Sequence, residues 1–234
     1  MSSLRLMSLL TLVTTFLLSG CDLVLPPTGL APTREDIVTE FPNVEEGSSQ
    51  AANEKILCPF QRMLDRAGIY GDASPNPSIN EVKEASKVFG CAKNSCGVVA
   101  NLVGFEQSGL GVDLERLHEA GSSSHDCGLT FALGGSAVSD AVRSATLDRL
   151  LQLADNDGSL VYADLLEVKT DICTAQNVAM SKAGEIEVKL IFAYLGGVEN
   201  GSVSHSDVER LLNATMPEIK THQWITAELL DQIN

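Results

Sequence analysis

Positive charge is scarce in this chain. Its 234 residues carry 16 Lys and Arg against 31 Asp and Glu, a formal net charge of −15. Nucleic acids and anionic membranes are held by basic patches, so the balance excludes broad contact with either. Aromatic residues are few as well, with 7 Phe, 3 Tyr and 1 Trp, which leaves little to stack on bases or sugars. No Cys-x-x-Cys pair and no His-x3-His spacing occurs, so zinc ligation is not expected. There is no sustained alternation of apolar and polar residues that would require a sheet, and no repeat at a fixed period. The acidity is spread rather than blocked, as on a solvated surface.

What is present is the composition of a folded protein, 44% hydrophobic and 20% charged, long enough for a single core. The N-terminus reads as an address. Residues 1–20 carry one positive charge, Arg5, and then a stretch of Leu, Val, Thr and Phe from Leu6 to Leu18. That is too short for a comfortable membrane span and fits a secretory signal peptide. A secreted protein with no transmembrane segment after cleavage is expected. Leu18-Ser-Gly-Cys21 also fits a bacterial lipoprotein box, which would anchor the chain by a lipid on Cys21. The sequons Asn200-Gly-Ser202 and Asn213-Ala-Thr215 point instead to a glycoprotein of a eukaryotic secretory route.

The cysteines agree with an oxidising compartment. Without Cys21, five remain: Cys58, Cys91, Cys96, Cys127 and Cys173. An odd number leaves one thiol unpaired, either for a chemical reason or as a buried free cysteine. Cys91 and Cys96 are spaced to close a small disulfide loop.

Residues 21–52 are rich in Pro, Thr, Glu and Ser and read as an extended leader, with one short helical possibility at Arg34–Glu40. From Asn53 onward the apolar spacing is helical, beginning with Ile56, Leu57, Phe60, Met63 and Leu64 on one face. Further helices are expected over Ile79–Phe89, Cys96–Phe105, Leu114–Ala120, Ser139–Leu153, Val161–Lys182, Glu185–Tyr194 and Val208–Leu212. The last is preceded by Ser206-Asp-Val-Glu209, a capping-box pattern. Asp155-Asn-Asp157-Gly158 has part of the spacing of a calcium loop, but Leu153 stands two residues before Asp155 and no glutamate closes it, so a turn is expected. Gly134-Gly135 and Gly196-Gly197 lack the surroundings of a phosphate-cradling loop. The expectation is an all-α single domain over residues 53–226, with a short tail at 227–234.

Three features carry the functional argument. The first is Cys58-Pro59 at the start of a helix, followed by Leu64 and Gly68. The second is Asp113-Leu-Glu-Arg-Leu-His118, leading through a Ser-rich stretch to His125-Asp126. The third runs from Asp157-Gly158 through Phe192-Ala-Tyr194-Leu-Gly to Val208-Glu-Arg-Leu-Leu and Met216-Pro217. In this order and with this spacing, from Leu57 to Trp224, the chain resembles the chloroperoxidase family of fungal haem-thiolate peroxidases and peroxygenases.

The resemblance implies a helical haem-thiolate peroxidase-like fold with haem b bound through its iron to Cys58. It also implies that His125 and Asp126 move protons on the distal side, and that hydrogen peroxide oxidises a small organic substrate, as in secondary-metabolite biosynthesis. Such a cysteine must stay out of any disulfide and be ionised, which a helix N-terminus and a cationic iron both favour. A histidine held by a carboxylate can carry a proton between peroxide oxygens.

The departures are as informative. The first proline of the family motif is Leu57, and its Asn-His-Gly ending reads Arg66-Ala67-Gly68. The glutamate that leads the second motif is Ser124 and the serine that follows is Gly128, so the family's Mg²⁺ or Mn²⁺ site is expected to be absent. The distal acid–base glutamate has no direct match, since that helix reads Tyr194-Leu195-Gly196. Glu185 and Glu187, one to three turns earlier, are expected to face solvent. These departures leave two other expectations: a family member that binds haem or an apolar ligand without peroxidase chemistry, and a cofactor-free lipid-anchored envelope protein.

Overall fold

The computed structural model describes residues 27–107, 111–120, 127–132, 135 and 137–234. The chain is mostly helical, as the apolar periodicity implies. The described part of the segment read as an extended leader, residues 27–52, contributes side chains to the core. Ala31 donates its backbone N–H to His222, and Ala31, Ile37 and Val44 are buried. Helix α1, Arg34–Glu40, starts with a capping box between Thr33 and Asp36, and Arg34 donates to the Pro217 carbonyl. A Pro- and Glu-rich average hid three apolar residues spaced to reach the core.

Helix α2, Pro59–Arg66, has Cys58 as its N-cap and Pro59 at its first position, where a missing N–H costs nothing. It buries two arginines. Arg62 is fully buried and donates to the carbonyls of Ile56 and Leu212. Arg66 donates to the Gln50 and Ala214 carbonyls and the Thr215 hydroxyl, each at 3.0 Å. Burial pulls the Arg62 guanidinium down to about 10.

Helix α3, Ile79–Val88, opens with a Ser78–Glu81 capping box and packs against α4, Cys96–Gln107. At Gly104 of α4 a Cβ would stand 2.5 Å from Ile79, so the two helices close to glycine distance. A 3-10 helix follows at Leu114–Glu119.

The C-terminal half holds α5, Asp140–Leu153, and α6, Tyr162–Ala175. The helix expected to run from Val161 to Lys182 stops at Ala175. Asn177 takes φ 57, a left-handed conformation that ends a helix, and Ser181 then caps α7, Lys182–Tyr194. A short α8, Gly197–Asn200, leads to α9, His205–Leu212. The cap of α9 is Ser204 bonded to the Asp207 N–H, two residues before the expected Ser206. Ser204 ends a strand in extended conformation, and by Ser206 the backbone is already helical. Strands β1, Ser159–Leu160, and β2, Val203–Ser204, pair antiparallel with Leu160 opposite Val203. They join the α5–α6 turn to the one before α9. The Asp155–Gly158 segment is a turn, with Asp155 accepting from the Ser159 N–H at 2.9 Å. In the tail, α10, Ala227–Leu230, packs on α7, and Leu229 and Ile233 join the core. Among the described residues no helix is long and apolar enough to cross a membrane.

Two disulfides lock this arrangement, Cys91–Cys96 and Cys127–Cys173, with sequence separations of 5 and 46. Loop-closure entropy makes the second the stronger, about 4 kcal/mol against about 2 kcal/mol for the first. Denaturant unfolding of the Cys127→Ala/Cys173→Ala and Cys91→Ala/Cys96→Ala pairs should show that order.

Candidate functional site

Cys58 is the free cysteine among the described residues. Its backbone is extended at φ −69 and ψ 115, with α2 beginning at the next residue. The residue is half-buried and its sulfur is desolvated, which pushes the thiol up to about 11. The Glu187 charge acts in the same direction. The amides of Phe60 and Gln61 pull the other way, as does Arg62, but no cap hydrogen bond forms on the sulfur. Desolvation of the anion outweighs the helix N-terminus here.

The thiol opens on a cavity of about 140 Å³ between α2, α4 and the 3-10 helix, walled by Val103, Leu114, Leu117 and Phe131. A second cavity of about 270 Å³ adjoins it, toward α7. Phe60, Cys96, Val99 and Leu190 line both. Phe60 is braced edge-on against Tyr194, with ring centroids 5.2 Å apart. Each cavity alone falls short of the roughly 300 Å³ at which drug-sized ligand sites begin.

The polar groups of these cavities are few and sit apart. Glu187 lines the larger one. Its side chain is 12% exposed and pairs with the fully buried Lys169 of α6. This corrects the expectation that Glu187 faces solvent. Glu185 is the more exposed of the two, bridging Lys182 at 3.0 Å and Lys189 at 3.9 Å. The difference follows from helical spacing: Glu187 lies four residues before Ile191 and seven before Tyr194, both buried. That spacing was available in the sequence; the carboxylate at its head concealed it. His118 lines the smaller cavity and was quoted in a motif without a role. Lys169 carried no signal, as its partner lies 18 residues away on another helix.

His125 and Asp126 lie outside the described residues, as do Ser124 and Cys21. An added Cβ at Gly128 would collide with the Phe131 ring, so a side chain there would require that ring to move. Among the described residues, no group of three or more His, Cys, Asp or Glu could hold a metal ion. No protein-family model matches the chain, and no curated protein matches it.

The donor set suits a group that needs one soft protein ligand and an apolar bed. Cys58 supplies sulfur, which soft metal centres select, and the walls of both cavities are almost wholly aliphatic and aromatic. Haem fits that description.

A thiol held at about 11 has about a hundredth of the thiolate fraction it would have at its ordinary value near 9. At pH 8, iodoacetamide should therefore alkylate Cys58 about a hundredfold more slowly in the folded protein than in urea. Rates followed by mass spectrometry check this.

Proposed function

We propose that the protein is a secreted haem-thiolate oxidoreductase that uses hydrogen peroxide on a small organic substrate. The observation that carries the reading is the free Cys58 at a helix N-terminus, lining an apolar cavity that shares four wall residues with a second one, which Glu187 lines. The other cysteines of the described residues are tied in disulfides, which accords with an oxidising compartment and sets Cys58 apart chemically.

Cys58 would hold the iron. When bound, a thiolate-ligated haem supplies the electron density that favours cleavage of a peroxide O–O bond. A thiol pushed up to about 11 keeps its proton at neutral pH, and a metal cation beside the sulfur removes it. The rise therefore keeps the sulfur inert toward oxidants until the cofactor arrives. Glu187 holds the proton given up by one peroxide oxygen and returns it to the other, the general acid–base step. Lys169 fixes the carboxylate in place. Phe60, Val99, Leu190 and Ile191 keep water away and offer an apolar bed to the organic substrate. His125 and Asp126 enter this reading through the resemblance alone.

The test is the absorption spectrum of the reduced, haem-loaded full chain under carbon monoxide. A strongly red-shifted Soret band that Cys58→Ala abolishes is the expected result; no haem uptake by folded protein overturns the proposal. Glu187→Gln should leave that band in place and lower peroxide-dependent oxidation about 10²- to 10⁴-fold. Glu187→Asp should recover part of the loss.

A further inference from the structure

The cavity beside Cys58 has a second polar feature. His118 projects from the 3-10 helix Leu114–Glu119 into its wall, with the side chain 17% exposed. Its Nε2 faces the Glu119 carboxylate at 3.6 Å. Its Nδ1 is buried and has no hydrogen-bond partner among the described residues. A buried ring nitrogen left unpaired costs on the order of 1–3 kcal/mol. Most of the surrounding wall, Val112, Leu114, Leu117 and Phe131, offers only hydrocarbon side chains, and its polar members Cys58 and Gln61 make no hydrogen bond to this nitrogen. The partner is left to whatever fills the space.

We infer that His118 binds a carboxylate of the cavity's occupant, donating a hydrogen bond from Nδ1. The occupant then has three attributes: a flat or bulky apolar body for the walls, an atom that accepts sulfur ligation from Cys58, and an acidic arm for His118. In the reading proposed above, on which this inference rests, the acidic arm is a haem propionate. His118 would then hold the acidic arm of the group while Cys58 would hold its iron. The protein provides this anchor with an imidazole, in a chain whose basic residues are few and, at Arg62 and Arg66, engaged by backbone carbonyls.

The experiment compares haemin with haemin dimethyl ester, whose carboxylates are blocked, by absorption titration of the full chain. The wild type should bind haemin about ten- to a hundredfold more tightly than the ester, the range of one charge-assisted hydrogen bond. His118→Ala should bring the two affinities together and leave the position of the Cys58-dependent carbon monoxide band unchanged. Equal affinities in the wild type overturn the inference without a variant. So does a preference for haemin that survives in His118→Ala. In both cases a Cys58-dependent band leaves the haem-thiolate reading standing. Absence of that band with either compound overturns both together.

Discussion

Two guanidinium groups on one eight-residue helix hold the parts of this protein in register. Arg62 and Arg66 are both buried and donate to carbonyl oxygens: Ile56 before α2, Gln50 in the N-terminal segment, Leu212 and Ala214 at the end of α9; the Nε of Arg62 is left without a partner. Burying a cation is costly, and the depressed value of Arg62 reflects that cost. The return is that carbonyls left over at a helix C-terminus and in an irregular strand find donors without water. The same two side chains set the height of α2 in the core, and so determine where its N-cap, Cys58, meets the cavity. An apolar pair of equal volume would pack as well and leave the four carbonyls stranded.

The cavities have their origin in helix α4. Its Gly97, Ala100 and Gly104 let it sink onto α3 until Ile79 fills the glycine notch. Tight packing on that side tilts the balance of contacts away from α7, where Val99 and Leu190 face a gap rather than each other's surface. The outer side of α4 carries Val98, Leu102 and Phe105 into solvent. A helix apolar on nearly all sides has no strong preference for one buried face, so small residues rather than hydrophobicity decide how it sits.

Much of the helical layout was legible in the residues. The ranges expected at Ile79–Phe89 and Ser139–Leu153 match α3 and α5 within a residue, and the C-terminal end of α7 at Tyr194 was found as expected. What escaped was set by contacts far apart in sequence. Ile37 and Val44 sit in a segment whose average composition says linker, yet the core claims them singly. The break after Ala175 depends on one Asn in a left-handed conformation, a stop signal that Asn carries more weakly than Gly and that the continuing apolar pattern hid. The cap of α9 was misplaced because Ser204 and Ser206 are equivalent on paper, and strand pairing with Ser159 decides between them. The site divided in the same way. Cys58 could be singled out by odd-cysteine arithmetic and its neighbouring proline, whereas Glu187 and His118 acquire meaning from the empty space they border.

The β1–β2 pair has a consequence out of proportion to its size. Each strand has two residues, too few to persist without the other. Leu160 and Val203, opposite each other across the pair, are both in the core. Parting the α5–α6 hairpin from the turn before α9 therefore exposes both apolar residues and severs the ladder in one event. Two turns far apart in sequence thus share one closure, and neither is an independent surface loop.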